Sequence, residues 1–293
     1  MRKIKHLFEF ILVKTIFLIV SQLNIKLLYL FAEWLAVIMY YLIPVRKKMI
    51  TANLKKAFPA VSKNELKKII KKNYSTVAKA GLEYSIFHKI NKKNKSEFAS
   101  FEGLHIIDYE VKKERGIILL GAHFDNPELV TNLIRISTDY NMAALVKKQQ
   151  NKYVHLLFEK IRKTNNIELI YKGASVKDIF RILKNKKILA TVADTSISQK
   201  EGILLDFFNI STATPIGPAK FAVRTNSAVI PVFSYRLEDN THKIIIHNPI
   251  NWETLNCSES DKIKFIMQEY NNILEENIRK HPAQWFWMHN RWK

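Results

Sequence analysis

Cysteine is almost missing: Cys257 is the only one in 293 residues. It cannot close an internal disulfide, and no C-x-x-C or Cys/His cluster offers a zinc site, so a reducing compartment is the default. Glycine and proline are scarce too, at seven and eight, which excludes collagen-like and linker-like chains. Acidic residues are outnumbered, 26 against 47 Lys plus Arg, leaving a formal net charge of +21. Such an excess attracts polyanions without saying whether the partner is nucleic acid, an anionic lipid surface or an acidic protein. No zinc-finger, RNP or basic-zipper pattern accompanies it, so nucleic acid is not an expected partner. What the chain does have is core material, 47% apolar and 11% aromatic, enough for one large domain or two small ones and too much for a disordered tail.

An uninterrupted hydrophobic run is also lacking. Residues 7–43 are mostly apolar but are broken by Glu9, Lys14, Lys26 and Glu33. The segments 10–25 and 27–43 are each about 16–17 residues, marginal for crossing roughly 30 Å of hydrocarbon. Lys14 and Lys26 can snorkel, and Trp34, Tyr40 and Tyr41 suit an interface, which points to a monotopic hairpin or a single tilted helix. Arg46, Lys47 and Lys48 follow with no small-residue cleavage site before them. That argues against a removed signal peptide and puts the main domain on the cytoplasmic side. The expectation is a hydrophobic membrane anchor over 1–45 and a main domain over 46–293, with the lysines of 46–95 beside the bilayer. The competing reading is an apolar helical hairpin packed into a soluble core.

Pro44 ends the apolar segment. Residues 62–89 predict an amphipathic helix, with Ser62 and Glu65 as a capping box and Leu66, Ile69, Ile70 and Val77 at helical spacing. Beyond residue 96 the pattern changes. Short β-rich runs at 116–120, 142–146, 168–171, 188–193, 229–233 and 243–246 alternate with helical candidates near 127–137, 151–164, 175–185, 215–226 and 260–279. That alternation predicts an α/β sheet covered by helices on both faces, with chemistry where strands end.

The buried run 117–120 leads into Gly121-Ala122-His123-Phe124-Asp125-Asn126-Pro127-Glu128. On one continuous helix His123 and Glu128 would lie about 140° apart. Asn126 suits an N-cap and Pro127 the first helical position, so a helix starting there leaves His123 in the preceding loop and Glu128 in the first turn. The loop can then fold the imidazole back toward the carboxylate. In that arrangement Glu128 orients one ring nitrogen and the other is free to take a proton from a hydroxyl.

The segment matches the H-x4-D/E motif of glycerolipid-type acyltransferases, and the chain more specifically resembles the lauroyl/myristoyl acyltransferases of lipid A biosynthesis along nearly its whole length. Residues 53–59 (NLKKAFP) resemble that family's NL-x-x-AFP segment, and 121–129 its HFGNWEL block. Arg162 ahead of 166–170, then Asp194, Glu201-Gly202, Phe207-Phe208 and 214–218, are similar to an arginine before the second-strand region and to the DQ…GG…PFFG…ATPTGPA stretch. Arg224 follows in place, and 281–293 (HPAQWFWMHNRWK) resembles the terminal HPEQWFWxHRRWK. Asp125, Pro127, Thr195 and Asn209 depart from the family's Gly, Trp, Gln and Gly.

The resemblance implies a glycerolipid-acyltransferase-like sheet and transfer of a fatty acyl chain from acyl carrier protein to a hydroxyacyl group of a lipid A precursor, at the cell inner membrane. His123 and Glu128 would be catalytic, and Arg162, Asp194 and Arg224 substrate-binding. As plain residues, Arg162 reads equally as an ion pair and Asp194 as a cap at a strand's end. His155, His281 and His289 show no metal-ligand spacing, so neither metal nor cofactor is expected. Two alternatives stand beside this: another lipid acceptor, such as a lysophospholipid or mannosylated lipid, or a non-catalytic basic membrane-binding protein.

Overall fold

The computed structural model describes residues 2–171, 173 and 176–292. Its centre is a seven-stranded sheet. The strands are β1 (Ala99–Glu102), β2 (Ile117–Gly121), β3 (Met142–Val146), β4 (Glu168–Tyr171), β5 (Ile188–Val192), β8 (Ala228–Arg236) and β9 (His242–Ile246). They lie in the order β1-β9-β8-β2-β5-β3-β4. The five strands from β8 to β4 run parallel, while β9 returns antiparallel to β8 and carries β1 parallel to itself. Side chains alternate across β2: Ile118 and Leu120 face one buried cluster and Ile117 and Leu119 the other, the mark of a sheet covered on both sides.

Helices supply the covers. On one face lie α5 (Leu104–Lys112) and α6 (Pro127–Thr138), which bring Ile107, Leu129, Leu133 and Ile134 to Ile117 and Leu119. On the other are α8 (Val176–Lys184), α9 (Gly217–Thr225) and α10 (Glu259–Lys280), with Ile182, Ala222 and Tyr270 against Ile118 and Leu120. Residue 175, where the sequence starts α8, lies outside the described residues. α6 begins where the sequence places it: Asn126 accepts from the Leu129 amide at 3.0 Å and Pro127 follows it. The sequence also has α4 (Lys63–Glu83) correctly capped, the Glu65 amide donating to Ser62 Oγ at 3.1 Å, but past Glu83 the chain tightens into a 3-10 helix, Tyr84–Lys89. A hairpin of β6 (Gly202–Phe207) and β7 (Ile210–Pro215) packs on α10 outside the main sheet. Its two-residue turn has positive φ at both Phe208 and Asn209, the I′ pattern that matches strand twist.

The membrane anchor expected over 1–45 needs correction. Among the described residues no helix is long and apolar enough to cross a membrane. The segment forms α1 (Arg2–Gln22) and α2 (Ile25–Tyr41), and charges interrupt both. One stripe of α2, Leu28, Tyr29, Ala32, Ala36 and Tyr40, is buried in the same core as Leu66, Ile70 and Tyr74 of α4. Burying a side chain such as Leu28 stabilises by about 1.5–3 kcal/mol, so this stripe holds α2 to the domain. α1 packs on α7 (Lys152–Arg162), with ring centroids 5.7 Å apart for Phe10 and Tyr153 and 6.0 Å for Phe17 and Phe158. The apolar run is therefore amphipathic in use: one face is covered by protein, while Phe8, Ile11, Leu30, Trp34 and Val37 remain exposed.

Candidate active site

β2 and β5 are neighbours, and their parallel register pairs Gly121 with Val192. Two residues further along each chain stand His123 and Asp194, at equal height beyond the strand ends. They meet there. His123 Nδ1 lies 2.8 Å from Asp194 Oδ1, and the His123 amide donates to Oδ2 at 2.9 Å. The Trp285 indole N–H donates to the same oxygen at 2.8 Å. Asp194 is buried, its side chain 3% exposed, whereas that of His123 is 40% exposed.

The electrostatics fix the tautomer. Burial alone would raise the Asp194 pKa, but the facing imidazole and the donated hydrogen bonds hold it below the ordinary carboxylate range. An ionised carboxylate only accepts, so the proton sits on Nδ1. Nε2, which has no hydrogen-bond partner among the described residues, keeps its lone pair. The charge of Asp194 raises the pKa of His123 against the effect of burial, and Glu128 adds to that rise.

The loop carrying His123 is laced in place by the C-terminal segment. Phe286 donates its amide to the His123 carbonyl at 2.8 Å, the Asp125 amide donates to the Gln284 carbonyl at 2.8 Å, and Phe124 and Trp285 form an antiparallel bridge between them. The Tyr270 hydroxyl of α10 donates to the Gly121 carbonyl at 2.7 Å. Behind Asp194 the Ser196 amide donates to His289 Nε2 at 2.8 Å. These contacts give the aromatic terminal motif its place: it frames the pair. Its last residue, Lys293, lies outside the described residues.

The remaining sequence candidates separate. Glu128 sits in the first turn of α6 as expected, but its carboxylate is gripped by Arg162, Nε to Oε2 at 2.7 Å and Nη2 to Oε1 at 2.5 Å. No hydrogen bond joins it to His123. The carboxylate that orients the imidazole is Asp194, expected instead among the substrate-binding residues. Arg162 is 8% exposed and forms the ion pair that was its alternative reading, with Nη1 left unpartnered beside a one-water hollow of about 30 Å³. Arg224 is not brought to the site. It ends α9 and pairs at 2.8 Å with Glu259, ahead of Ala228, which pairs with Ile117 at the opposite end of β2. A hollow of about 410 Å³ also lies at that far end, among Tyr109, Glu110, Arg115 and Glu253, and contains none of the candidates. Among the described residues no group of three or more His, Cys, Asp or Glu side chains could hold a metal.

An imidazole at the carboxyl rim of a parallel sheet, with one nitrogen fixed and one free, is equipped to remove a proton from a bound hydroxyl. Comparison with known proteins gives that chemistry a family. The profile described as bacterial lipid A biosynthesis acyltransferase matches residues 1–293. The chain is 23% identical over 251 residues to the lipid A biosynthesis lauroyltransferase of Escherichia coli, covering 85% of this chain and 79% of that protein. It is 22% identical over 249 residues to the lipid A biosynthesis palmitoleoyltransferase of the same organism, with the same coverage of 85% and 79%. It is also 22% identical over 194 residues to the phosphatidylinositol mannoside acyltransferase of Mycobacterium tuberculosis, 65% of this chain and 58% of that one. The chain belongs to the bacterial lipid A biosynthesis acyltransferase family.

Proposed function

We propose that this acyltransferase moves a fatty acyl group from the thioester of acyl carrier protein to a hydroxyl of a lipid A precursor, with His123 as general base. The observation that carries the reading is the His123–Asp194 pair, with Nε2 unpartnered at the sheet's rim. Nε2 takes the hydroxyl proton as the oxygen attacks the thioester carbon. The tetrahedral adduct collapses with loss of the thiolate, which recovers the proton from the imidazolium, leaving ester and thiol. Asp194 holds the ring and stabilises its charged form, and the Glu128 carboxylate, fixed by Arg162, favours the imidazolium from nearby.

Charge and surface support the choice of substrates. An excess of +21 suits an acidic carrier protein and a phosphorylated lipid. Exposed apolar side chains such as Phe8, Leu30 and Trp34 suit a lipid acceptor, and the reaction is placed in this reading at the cytoplasmic face of the inner membrane. The relationship to a phosphatidylinositol mannoside acyltransferase favours one second reading, the same chemistry on another glycolipid acceptor. Mass spectrometry of lipids from cells with and without the protein, and with its His123→Ala form, tests both. A His123-dependent acyl chain on lipid A supports the first, the same on another lipid supports the second, and no His123-dependent change rejects both.

A further inference from the structure

Beneath the catalytic loop lies a second cluster of ionised groups that the transfer reaction does not use. Glu83 ends α4, Arg236 ends β8, His242 opens β9 directly opposite Arg236, and Asp125 belongs to the turn between His123 and α6. Arg236 donates to both Glu83 oxygens, at 2.5 and 3.0 Å, and to Asp125 Oδ1 at 2.9 Å. His242 lies between the same carboxylates, Nδ1 2.5 Å from Asp125 Oδ2 and Nε2 3.2 Å from Glu83 Oε1. All four side chains are at most 6% exposed. With a carboxylate on each ring nitrogen, His242 is an imidazolium, and two negative charges balance two positive ones.

The cluster grips a strained turn. Asp125 has φ +50°, a left-handed conformation that a residue with a Cβ adopts at a cost and glycine adopts freely. Its neighbour Asn126, the N-cap of α6, donates from Nδ2 to Glu83 Oε2 at 2.8 Å. Two consecutive residues of the His123-to-Glu128 segment are thus tied to one buried network, and His123 is two residues from the strained position.

We propose that Glu83, Arg236 and His242 are positioning residues that hold Asp125 in its left-handed turn and thereby aim His123 at Asp194. The proposal rests on His123 being the base. Rigid aim matters because small displacements of a reacting group cost far more in rate than in stability.

The test compares substitutions at the strained position and at its clamp, assayed with acyl carrier protein thioesters and a lipid A precursor. Asp125→Ala and Asp125→Gly remove the same carboxylate, and His242 can release its proton to keep the cluster neutral in either. A clamp on backbone conformation makes them differ: kcat falls about 10-fold in the alanine form, with KM within about two-fold, and the glycine form recovers most of that loss. His242→Gln lowers kcat by a similar factor in the native background and has no further effect in the Asp125→Gly background. Equal kcat for the alanine and glycine forms, or a native kcat in His242→Gln, overturns the proposal. If His242→Gln does not fold, the alanine and glycine pair decides alone. A His123→Ala protein that still transfers acyl groups overturns the reading of the base instead, so the two failures are told apart.

Discussion

Two histidine–aspartate contacts stand out among the described residues, and their contrast shows what turns such a contact into chemistry. In both, Nδ1 meets a buried carboxylate, at 2.8 Å for His123 with Asp194 and 2.5 Å for His242 with Asp125. His242 is 2% exposed in its side chain and its second nitrogen faces Glu83, so it has no lone pair to offer. His123 is 40% exposed and its second nitrogen has no hydrogen-bond partner among the described residues. Proximity of imidazole and carboxylate is common to both, and only the free nitrogen distinguishes a base from a brace.

Exchanging the demands on the two pairs sharpens this contrast. The largest effect belongs to His123→Ala, which should lower kcat/KM by about 10²–10⁴-fold with acyl carrier protein thioesters, while its thermal midpoint, read by calorimetry, moves little because the ring is half exposed. Asp194→Asn comes next, with a loss approaching about 10⁴-fold because the amide favours the wrong tautomer of the ring. Asp194 raises the His123 pKa, and the base works only when neutral, so the acid limb of the pH–rate profile should also move to lower pH in this variant. An unmoved limb would deny Asp194 its role.

His242 should show itself in stability. Burial would lower its pKa, but Asp125 and Glu83 raise it to about 9. A folded-state value above the unfolded one of about 6.5 means a contribution fully present below that pH and lost as pH rises through 9. Thermal midpoints between pH 7 and 10 should therefore fall more steeply in the native protein than in His242→Gln. The smallest effect is expected for Arg224→Ala, an exposed pair worth about 0–1 kcal/mol, whose kinetics should match the native protein. A raised KM there would bring substrate to the far end of the sheet.

Local signals were legible in the sequence. The buried run before His123, the cap at Asn126 and the proline after it place β2, the loop and α6 correctly because each depends on neighbouring residues. The partner of His123 was not legible that way. Asp125 and Glu128 are the carboxylates near His123 along the chain, but Asp194, 71 residues on, is the one that meets the ring. A usable clue existed: both residues stand one to three positions beyond buried runs, and adjacent parallel strands bring such positions together. The β6–β7 hairpin carries no such local signal, because its turn is Phe208-Asn209, without the glycine that usually marks one. The N-terminal segment is helical as its pattern predicts, but its composition says only that something apolar covers it. The i, i+4 stripe of Leu28, Ala32 and Ala36 shows that for one face this is α4.

The hydroxyl of Tyr29, on α2, donates to Glu83 at 2.9 Å. A version of the enzyme trimmed to begin after residue 45, as one might make to improve handling, would therefore lose more than greasy surface. It would open a phenol-sized gap beside the carboxylate that secures Asn126, and the trimmed protein would be a poor guide to turnover in the intact one.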